Sequence, residues 1–187
     1  MKEAMLSENQ KTRLLEIARK SIDNYLSTGK KLQLSEDDPD LLERCGAFVT
    51  LNKNNQLCGC IGNIIGSQPL YLTIRDMAVE AAVNDPRFTP LTKKELADVK
   101  IEISVLSPLQ KVNNPDLIQM GKHGVLIRRG YQSGVFLPQV ATETGWSREE
   151  FLSNLCAHKA GLAPLDWKDP STELYIFTAT VFGDGSL

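Results

Sequence analysis

Two cysteines and two glycines alternate in the segment Leu57-Cys58-Gly59-Cys60-Ile61-Gly62, which follows a polar turn and has the character of a strand. A cysteine thiolate is a nucleophile and a metal ligand, and glycine lets a substrate approach the backbone closely. Cys60 is therefore a candidate catalytic residue, and Gly59 and Gly62 are candidate substrate-binding positions. A free cysteine is also a common small apolar residue of protein cores, so a structural role for Cys60 stays open.

The spacing of the two cysteines limits what they can do together. Residues two apart in a strand point to the same side, so Cys58 and Cys60 are predicted to share one face. The other face, with Leu57 and Ile61, would point to the main core. The Cα atoms of the two cysteines would be about 6.5 Å apart, near the upper limit for a disulfide. The segment therefore predicts two free thiols in preference to a disulfide.

Two residues elsewhere could carry protons for Cys60. His123 lies in a predicted turn, where an imidazole could serve as acid, base or ligand, or could simply bond to the backbone. Glu102 lies on the polar face of a predicted strand. If that face is covered, the Glu102 carboxylate is buried and suited to proton transfer; if the face is open, Glu102 merely balances Lys100.

Two residues that lie next to prolines are candidates for substrate binding. Arg87 comes after Pro86, which stops a predicted helix, and its guanidinium could either brace a loop or clamp a carboxylate or phosphate. Gln139 comes after Pro138 and is a similar case. The remaining cysteines and histidine are predicted to be structural or solvated: Cys45, Cys156 and His158.

Metal binding is not predicted from these residues. The chain has two histidines, and it lacks the close Cys/His spacing of a zinc finger. A catalytic metal held by Cys60, His123 and Glu102 is the one arrangement that the residue types leave open. No cofactor can be named from the sequence.

Length, composition and charge are those of an ordinary globular chain. Its 187 residues suffice for one main domain with a smaller second lobe, and 42% of them are hydrophobic. The net charge of −2 gives no general attraction to nucleic acid or membranes, although Lys93-Lys94 and Arg128-Arg129 could form local basic patches. The absence of a signal-like segment, the lack of a long apolar run and the four cysteines predict a cytoplasmic protein with reduced thiols.

Hydrophobic spacing and turn signals predict the elements that would position these residues. Helices are expected from Glu8 to about Gly29, from near Pro69 to Pro86, and from the Ser147 capping box to Gly161. Strands are expected over residues 47–51, 57–61, 99–105, 125–129, 135–137 and 175–182. A five-residue turn would join the first two strands, and the fourth strand would pair with the fifth. Pro138 would end the fifth strand or place it at an edge, and the last strand would be central in a sheet.

Strands in hairpins, interrupted by single helices, are typical of α+β proteins. The sequence therefore predicts a mostly antiparallel sheet flanked by helices, in one compact two-lobed domain that covers residues 1–187.

Several short motifs follow one another along nearly the whole chain: Gly46-Ala47-Phe48-Val49-Thr50-Leu51, Gly59-Cys60-Ile61-Gly62, Asn84-Asp85-Pro86-Arg87-Phe88, Gly121-Lys122-His123-Gly124, Leu137-Pro138-Gln139-Val140 and Lys159-Ala160-Gly161-Leu162. In this order they resemble the AMMECR domain family, called protein A of the AmmeMemoRadiSam system in prokaryotes. The resemblance implies a two-lobed α+β fold and a genomic association with a Memo-family protein and a radical S-adenosylmethionine enzyme. It implies no known reaction. The family usually has Arg where this chain has Cys58, so an anion-binding role of that arginine is not carried over.

Two classes of function stay open. In the first, the protein is an enzyme or a catalytic subunit: Cys60 attacks as a thiolate, His123 or Glu102 carries the proton, and Arg87 orients an anionic small molecule or a modified macromolecule. In the second, it is a non-catalytic adaptor that binds the Memo-like and radical partners through the segment around Cys60. A weaker third interpretation is an RNA-related role. The reactivity of Cys60 separates the first two, because an adaptor needs no activated thiol.

Overall fold

The computed structural model of the protein describes residues 6–185. Within them the helices are α1 (Glu8–Thr28), α2 (Pro39–Leu42), α3 (Leu70–Val83), α4 (Pro138–Thr144) and α5 (Arg148–Leu155). The strands are β1 (Ala47–Lys53), β2 (Gln56–Asn63), β3 (Val99–Leu106), β4 (Gln110–Val112), β5 (Gly124–Arg129), β6 (Gln132–Phe136), β7 (Glu173–Phe177) and β8 (Ala179–Gly183). They form two four-stranded antiparallel sheets, in the orders β2-β1-β3-β8 and β4-β7-β5-β6. The predicted α+β class is confirmed, with two sheets where the sequence predicted one.

The described chain forms two compact units, and each has its own hydrophobic core. The first unit comprises the chain up to Leu106 and from Thr180 onward, and the second is Ser107–Ala179. In the first, α1 and α3 pack on one face of the sheet β2-β1-β3-β8. In the second, α4 and α5 pack on the sheet β4-β7-β5-β6 around Phe151. Over residues 6–185, no helix has both the length and the apolar character needed to cross a bilayer.

Helix α1 forms where its sequence predicts it. Ser7 accepts a hydrogen bond from the backbone N–H of Gln10, and the Gln10 side chain accepts one from the Ser7 N–H, so a capping box starts the helix. Gly29 ends it with φ of 68°, a left-handed conformation that glycine adopts without steric cost. Apolar residues at three- and four-residue spacing form its buried face: Leu14, Ile17, Ala18 and Ile22.

The hairpin of β1 and β2 has a shorter turn than predicted. Asn54 and Asn55 have φ of 52° and 61°. A two-residue turn of type I′ requires positive φ at both positions, and asparagine tolerates that conformation better than most residues. Both strands therefore extend into the predicted five-residue turn, as far as Lys53 and Gln56.

The second unit contains the predicted hairpin of β5 and β6, again with a short turn, Gly130-Tyr131. β6 ends at Phe136 and is an edge strand, as one of the two alternatives for Pro138 predicted. Pro138 itself starts α4, where a missing backbone N–H costs nothing. Ser147 and Glu150 form the predicted capping box of α5. A π-helical turn follows α5, and Gly161 ends it with φ of 67°.

The predicted last strand, residues 175–182, is two strands in two different sheets. β7 is central in the second sheet, as predicted, but β8 is an edge strand of the first. The break lies at Thr178, whose carbonyl accepts from the Ser107 N–H and whose N–H donates to the Ser107 hydroxyl. The sequence does not reveal such a change of sheet, because apolar residues lie on both sides of Thr178 and a single threonine is common within a strand.

Candidate functional site

Cys60 lies in β2, at an edge of the first sheet. It is paired with Thr50 of β1, and the Thr50 hydroxyl donates a hydrogen bond of 3.3 Å to the Cys60 Sγ. The neighbours of Thr50 in β1, Val49 and Leu51, are buried in the core, so Thr50 and Cys60 lie on the other face of the sheet. The thiol is half-buried. The site therefore has a thiol outside the core, with a hydroxyl donor directed at its sulfur.

An aspartate and an arginine hold the backbone of Cys60, and we call them the Cys60 clamp. Asp85 Oδ2 accepts a hydrogen bond from the Cys60 N–H, and Arg87 Nη2 donates one to the Cys60 carbonyl, each at 2.9 Å. The two side chains are joined by Nε–Oδ1 and Nη2–Oδ2 hydrogen bonds of 2.9 and 2.7 Å. An edge strand leaves its outward N–H and C=O groups unpaired, and the clamp satisfies both of these groups at Cys60.

The clamp is a charged pair that is buried on one side only. The Asp85 side chain is 1% exposed, whereas that of Arg87 is 57% exposed. Hydrogen bonds from Arg87 hold the pKa of the Asp85 carboxyl far below its usual range, although burial alone would raise it. Asp85 in turn raises the pKa of Arg87. Both groups are therefore ionised at neutral pH, and the pair has no net charge.

Glu102 lies in the same cross-strand row as Cys60. Thr50 is paired with Cys60 on one side and with Glu102 of β3 on the other, so the three side chains share one face of the sheet. Cys60 and Glu102 are separated by two strand spacings, or roughly 9.5 Å. The structure thus brings these two predicted site residues to one face, with the Thr50 hydroxyl between them.

The two glycines beside Cys60 allow close approach of the protein's own atoms. A Cβ on Gly59 would lie 2.1 Å from the backbone oxygen of Ala81 in α3. A Cβ on Gly62 would lie 2.3 Å from the ring of Phe48. Packing within the first unit therefore accounts for the missing side chain at both positions, and their contribution to the site is to let β2 lie close against α3 and β1.

Cys58 and Cys60 do not share a face, so that prediction is wrong. Cys58 is the extra residue of a β-bulge, which interrupts the alternation of side chains along β2. It packs against the first core, and its Sγ donates to the Leu51 carbonyl at 3.3 Å. The bulge lies between two cross-strand pairs, Leu51–Gly59 and Asn52–Leu57.

Three of the four cysteines pack against hydrophobic cores: Cys45, Cys58 and Cys156. Burial raises the pKa of all three thiols, because the thiolate is poorly solvated there. None of the four cysteines is in a disulfide. The structural role predicted for Cys45 and Cys156 agrees with this packing, and Cys60 is set apart from all three.

His123 and Gln139 belong to the second unit. The Nδ1 atom of His123 accepts a hydrogen bond of 3.1 Å from the Gln119 N–H, so the neutral imidazole has its proton on Nε2. Gln139 is the second residue of α4, and its Oε1 is buried without a hydrogen-bond donor among residues 6–185. His158 is exposed, as predicted.

The basic residues considered for an RNA-related role are mostly neutralised by acidic partners. The ion pairs are Lys93–Asp23, Arg128–Glu173, Arg129–Asp166 and Arg129–Asp169. Pairing of this kind reduces the field that a phosphate backbone would meet. In the part of the chain that the structure describes, no group of three His, Cys, Asp or Glu side chains is placed to hold a metal ion.

Sequence reasoning missed two residues of the site, Thr50 and Asp85. Thr50 could have been found from the hairpin register, since it lies opposite Cys60 once the turn is known. Asp85 carries a local signal: its Oδ1 accepts from the Arg87 N–H at 3.2 Å, a contact that the order Asp-Pro-Arg favours. Its contact with Cys60, 25 residues away in sequence, has no such signal.

The fold and the site define an α+β protein of two antiparallel sheets, with a cysteine held on an edge strand by an aspartate–arginine pair. A family model, AMMECR1, matches residues 15–182. The chain belongs to the AMMECR1 family, which confirms the resemblance noted from its motifs.

Archaeal relatives match the chain over most of its length. A protein of Methanothermobacter thermautotrophicus is 43% identical over 189 residues, covering 97% of this chain and 98% of the relative. A protein of Nanoarchaeum equitans is 45% identical, covering 90% and 97%. The crystal structure of an uncharacterised protein from Pyrococcus horikoshii is similar with a TM-score of 0.85 and 39% identity, covering 93% of this chain and 91% of that one.

Proposed function

We propose that this protein is a cysteine-dependent enzyme with Cys60 as its nucleophile. The observation that carries the proposal is the contrast between Cys60 and the other cysteines. The other three pack against cores, whereas Cys60 lies outside them, accepts a hydroxyl hydrogen bond and has both backbone groups held by charged side chains. A cysteine that merely fills space needs neither the donor nor the clamp.

Each neighbour of Cys60 has a role in this proposal. Attack on an electrophilic carbon requires the thiolate, and the Thr50 hydroxyl would stabilise that anion by donating to its sulfur. Glu102 is our candidate acceptor for the proton that the thiol loses, because it adjoins Thr50 on the same face. The clamp would keep the sulfur in place while the substrate reacts.

The proposal extends to partners and location. The family resemblance suggests that the protein acts with a Memo-family protein and a radical S-adenosylmethionine enzyme on a shared substrate. The four free cysteines favour the reducing cytoplasm as its location. Co-expression with these two proteins from one genome, followed by size-exclusion chromatography, tests the partnership directly.

Native alkylation by iodoacetamide, followed by peptide mass mapping of each cysteine, tests the role of Cys60. We expect Cys60 to react first, because burial disfavours the thiolates of Cys45, Cys58 and Cys156. Replacing Thr50 by Val should slow the reaction of Cys60 about three- to tenfold at neutral pH, the scale of a single hydrogen bond worth about 1 kcal/mol. Thr50→Ser, which keeps the hydroxyl, is the matched control. If Cys60 is protected until the protein unfolds, it is not a nucleophile.

A non-catalytic adaptor is the second candidate, and exposed apolar side chains favour it. Ile65 is 68% exposed, and Tyr131 is fully exposed at the tip of the β5–β6 hairpin. Large exposed apolar and aromatic side chains are typical of binding hot spots. An Ile65→Ser or Tyr131→Ser variant that loses a partner while Cys60 keeps its reactivity would favour the adaptor.

A further inference from the structure

The guanidinium of Arg87 is fixed in position but only partly used. Its Nε donates to Asp85, and its Nη2 donates to both Asp85 and the Cys60 carbonyl. Its carbon lies 5.3 Å from the centre of the Phe88 ring, a cation–π contact. No residue within 6–185 accepts a hydrogen bond from Nη1, and the side chain is 57% exposed.

The free Nη1 N–H groups of Arg87 are directed to a position beside Cys60. A guanidinium is a planar fork, and the N–H groups on its Nη1 and Nη2 atoms lie side by side. Because one Nη2 proton goes to the Cys60 carbonyl, a group that accepts from Nη1 would lie next to the backbone of Cys60. Little side-chain entropy remains to be lost on binding, since the clamp already holds the guanidinium.

We propose that Arg87 Nη1 binds an anionic group of the substrate, a carboxylate or a phosphate, next to the atom that Cys60 attacks. This assignment of substrate class rests on the proposed role of Cys60 as nucleophile. Arginine is well suited to both anions, because the guanidinium keeps its positive charge and the free Nη1 N–H groups can each donate to an anionic oxygen. Asp85 cancels most of the electric field of Arg87 at long range. Arg87 should therefore favour an anionic substrate only when the substrate is already close to Nη1.

Two alkylating reagents of similar size test the proposal in the native protein. Iodoacetate carries a carboxylate beside its reactive carbon, whereas iodoacetamide is neutral. In both cases the Cys60 sulfur bonds to carbon and iodide leaves. The measured quantity is the rate constant of Cys60 with iodoacetate divided by its rate constant with iodoacetamide. This ratio is then divided by the same ratio for a free thiol such as glutathione. We expect this normalised ratio to be above one in the unsubstituted protein.

Two substitutions should move the ratio in opposite directions. Arg87→Gln removes the charge and should lower it about two- to fivefold, the scale of an exposed ion pair. Asp85→Asn keeps an acceptor for the Cys60 N–H but exposes the charge of Arg87, so it should raise the ratio. Lys30→Gln, which removes a positive charge elsewhere on the first unit, should leave it unchanged. If Arg87→Gln fails to fold, the neutral pair Asp85→Asn/Arg87→Gln replaces it.

Competition experiments show whether Arg87 prefers a carboxylate or a phosphate. Inorganic phosphate and acetate, each at matched ionic strength, should slow the reaction of Cys60 with iodoacetamide, and the stronger competitor indicates the group preferred. An equal ratio in the unsubstituted protein and in the Arg87→Gln variant overturns the anion site while leaving Cys60 a nucleophile. No reaction of Cys60 with either reagent overturns the proposed function itself.

Discussion

Removal of Arg87 should destabilise the first unit in a way that depends on pH. Arg87→Ala leaves the Asp85 carboxylate, 1% exposed, without its cation. Breaking a buried ion pair from one side costs about 3–5 kcal/mol. Arg87 is 57% exposed, so water can reach part of the pair, and we reduce the expected cost to about 3 kcal/mol at pH 7, including the hydrogen bond to the Cys60 carbonyl.

The pH dependence follows from the lowered pKa of Asp85. A carboxyl whose pKa is lower in the folded than in the unfolded state stabilises the fold above the unfolded pKa, which is about 3.9. That stabilisation is lost as the pH falls through the folded pKa. Arg87 is the main cause of the shift, so the unsubstituted protein should lose stability in acid faster than the variant. The cost of Arg87→Ala should therefore fall by about 1 kcal/mol between pH 6 and pH 3.

The assay must report on the first unit. Both tryptophans, Trp146 and Trp167, are in the second unit, so their fluorescence reports on the other unit. Urea-dependent hydrogen exchange of peptides from β1 and β2, read by mass spectrometry, measures the free energy of unfolding where Arg87 acts. In an Asp85→Asn background, Arg87→Ala should cost only about 1 kcal/mol at either pH. The same cost in both backgrounds, or at both pH values, would refute the ion-pair reasoning.

Two further predictions concern packing, and each compares two substitutions. Cys60→Ser should leave the calorimetric melting temperature nearly unchanged, because the thiol lies outside the core, whereas Cys156→Ser puts a hydroxyl into the second core and should lower it by several degrees. A large drop for Cys60→Ser would show a core residue instead. Gly59→Ala should cost about 2 kcal/mol or more in urea unfolding, because its Cβ would overlap the Ala81 carbonyl. Gly130→Ala, with open space around it, should cost only about 1 kcal/mol for its φ of +59°, and equal costs would argue against the overlap.

Local signals explain which parts of the fold could be predicted from the sequence. Ser7 and Ser147 start helices through contacts within three residues, and Gly29 and Gly161 end them by adopting positive φ. These interactions are complete within one turn of chain, so the residue types suffice to find them. The hairpin of β1 and β2 was found for the same reason, although its turn length depends on φ angles that the polar run does not specify.

The site depends on contacts that the sequence does not display. The bulge at Cys58 interrupts the alternation of side chains in β2. A regular alternation over two residues therefore predicts the wrong face of the sheet for Cys58. The contact of Asp85 with Cys60 exists because α3 packs close to β2, which in turn needs a glycine at position 59. The row of Cys60, Thr50 and Glu102 can be predicted only if the order of β2, β1 and β3 in the sheet is known. Each of these is a tertiary property, and no local pattern encodes it.

The Cys60 clamp also has a purely structural explanation, and the two can be separated. Charged groups on an edge strand discourage pairing with another chain, so Asp85 and Arg87 would protect β2 whatever residue stood at position 60. Edge protection, however, does not require a hydroxyl donor at the sulfur, because the Thr50 side chain lies on the face of the sheet and not at its edge. Substitutions in the clamp should therefore change both the tendency to aggregate and the reactivity of the thiol. Thr50→Val should change the reactivity alone, and that separation is what an edge strand adapted for chemistry predicts.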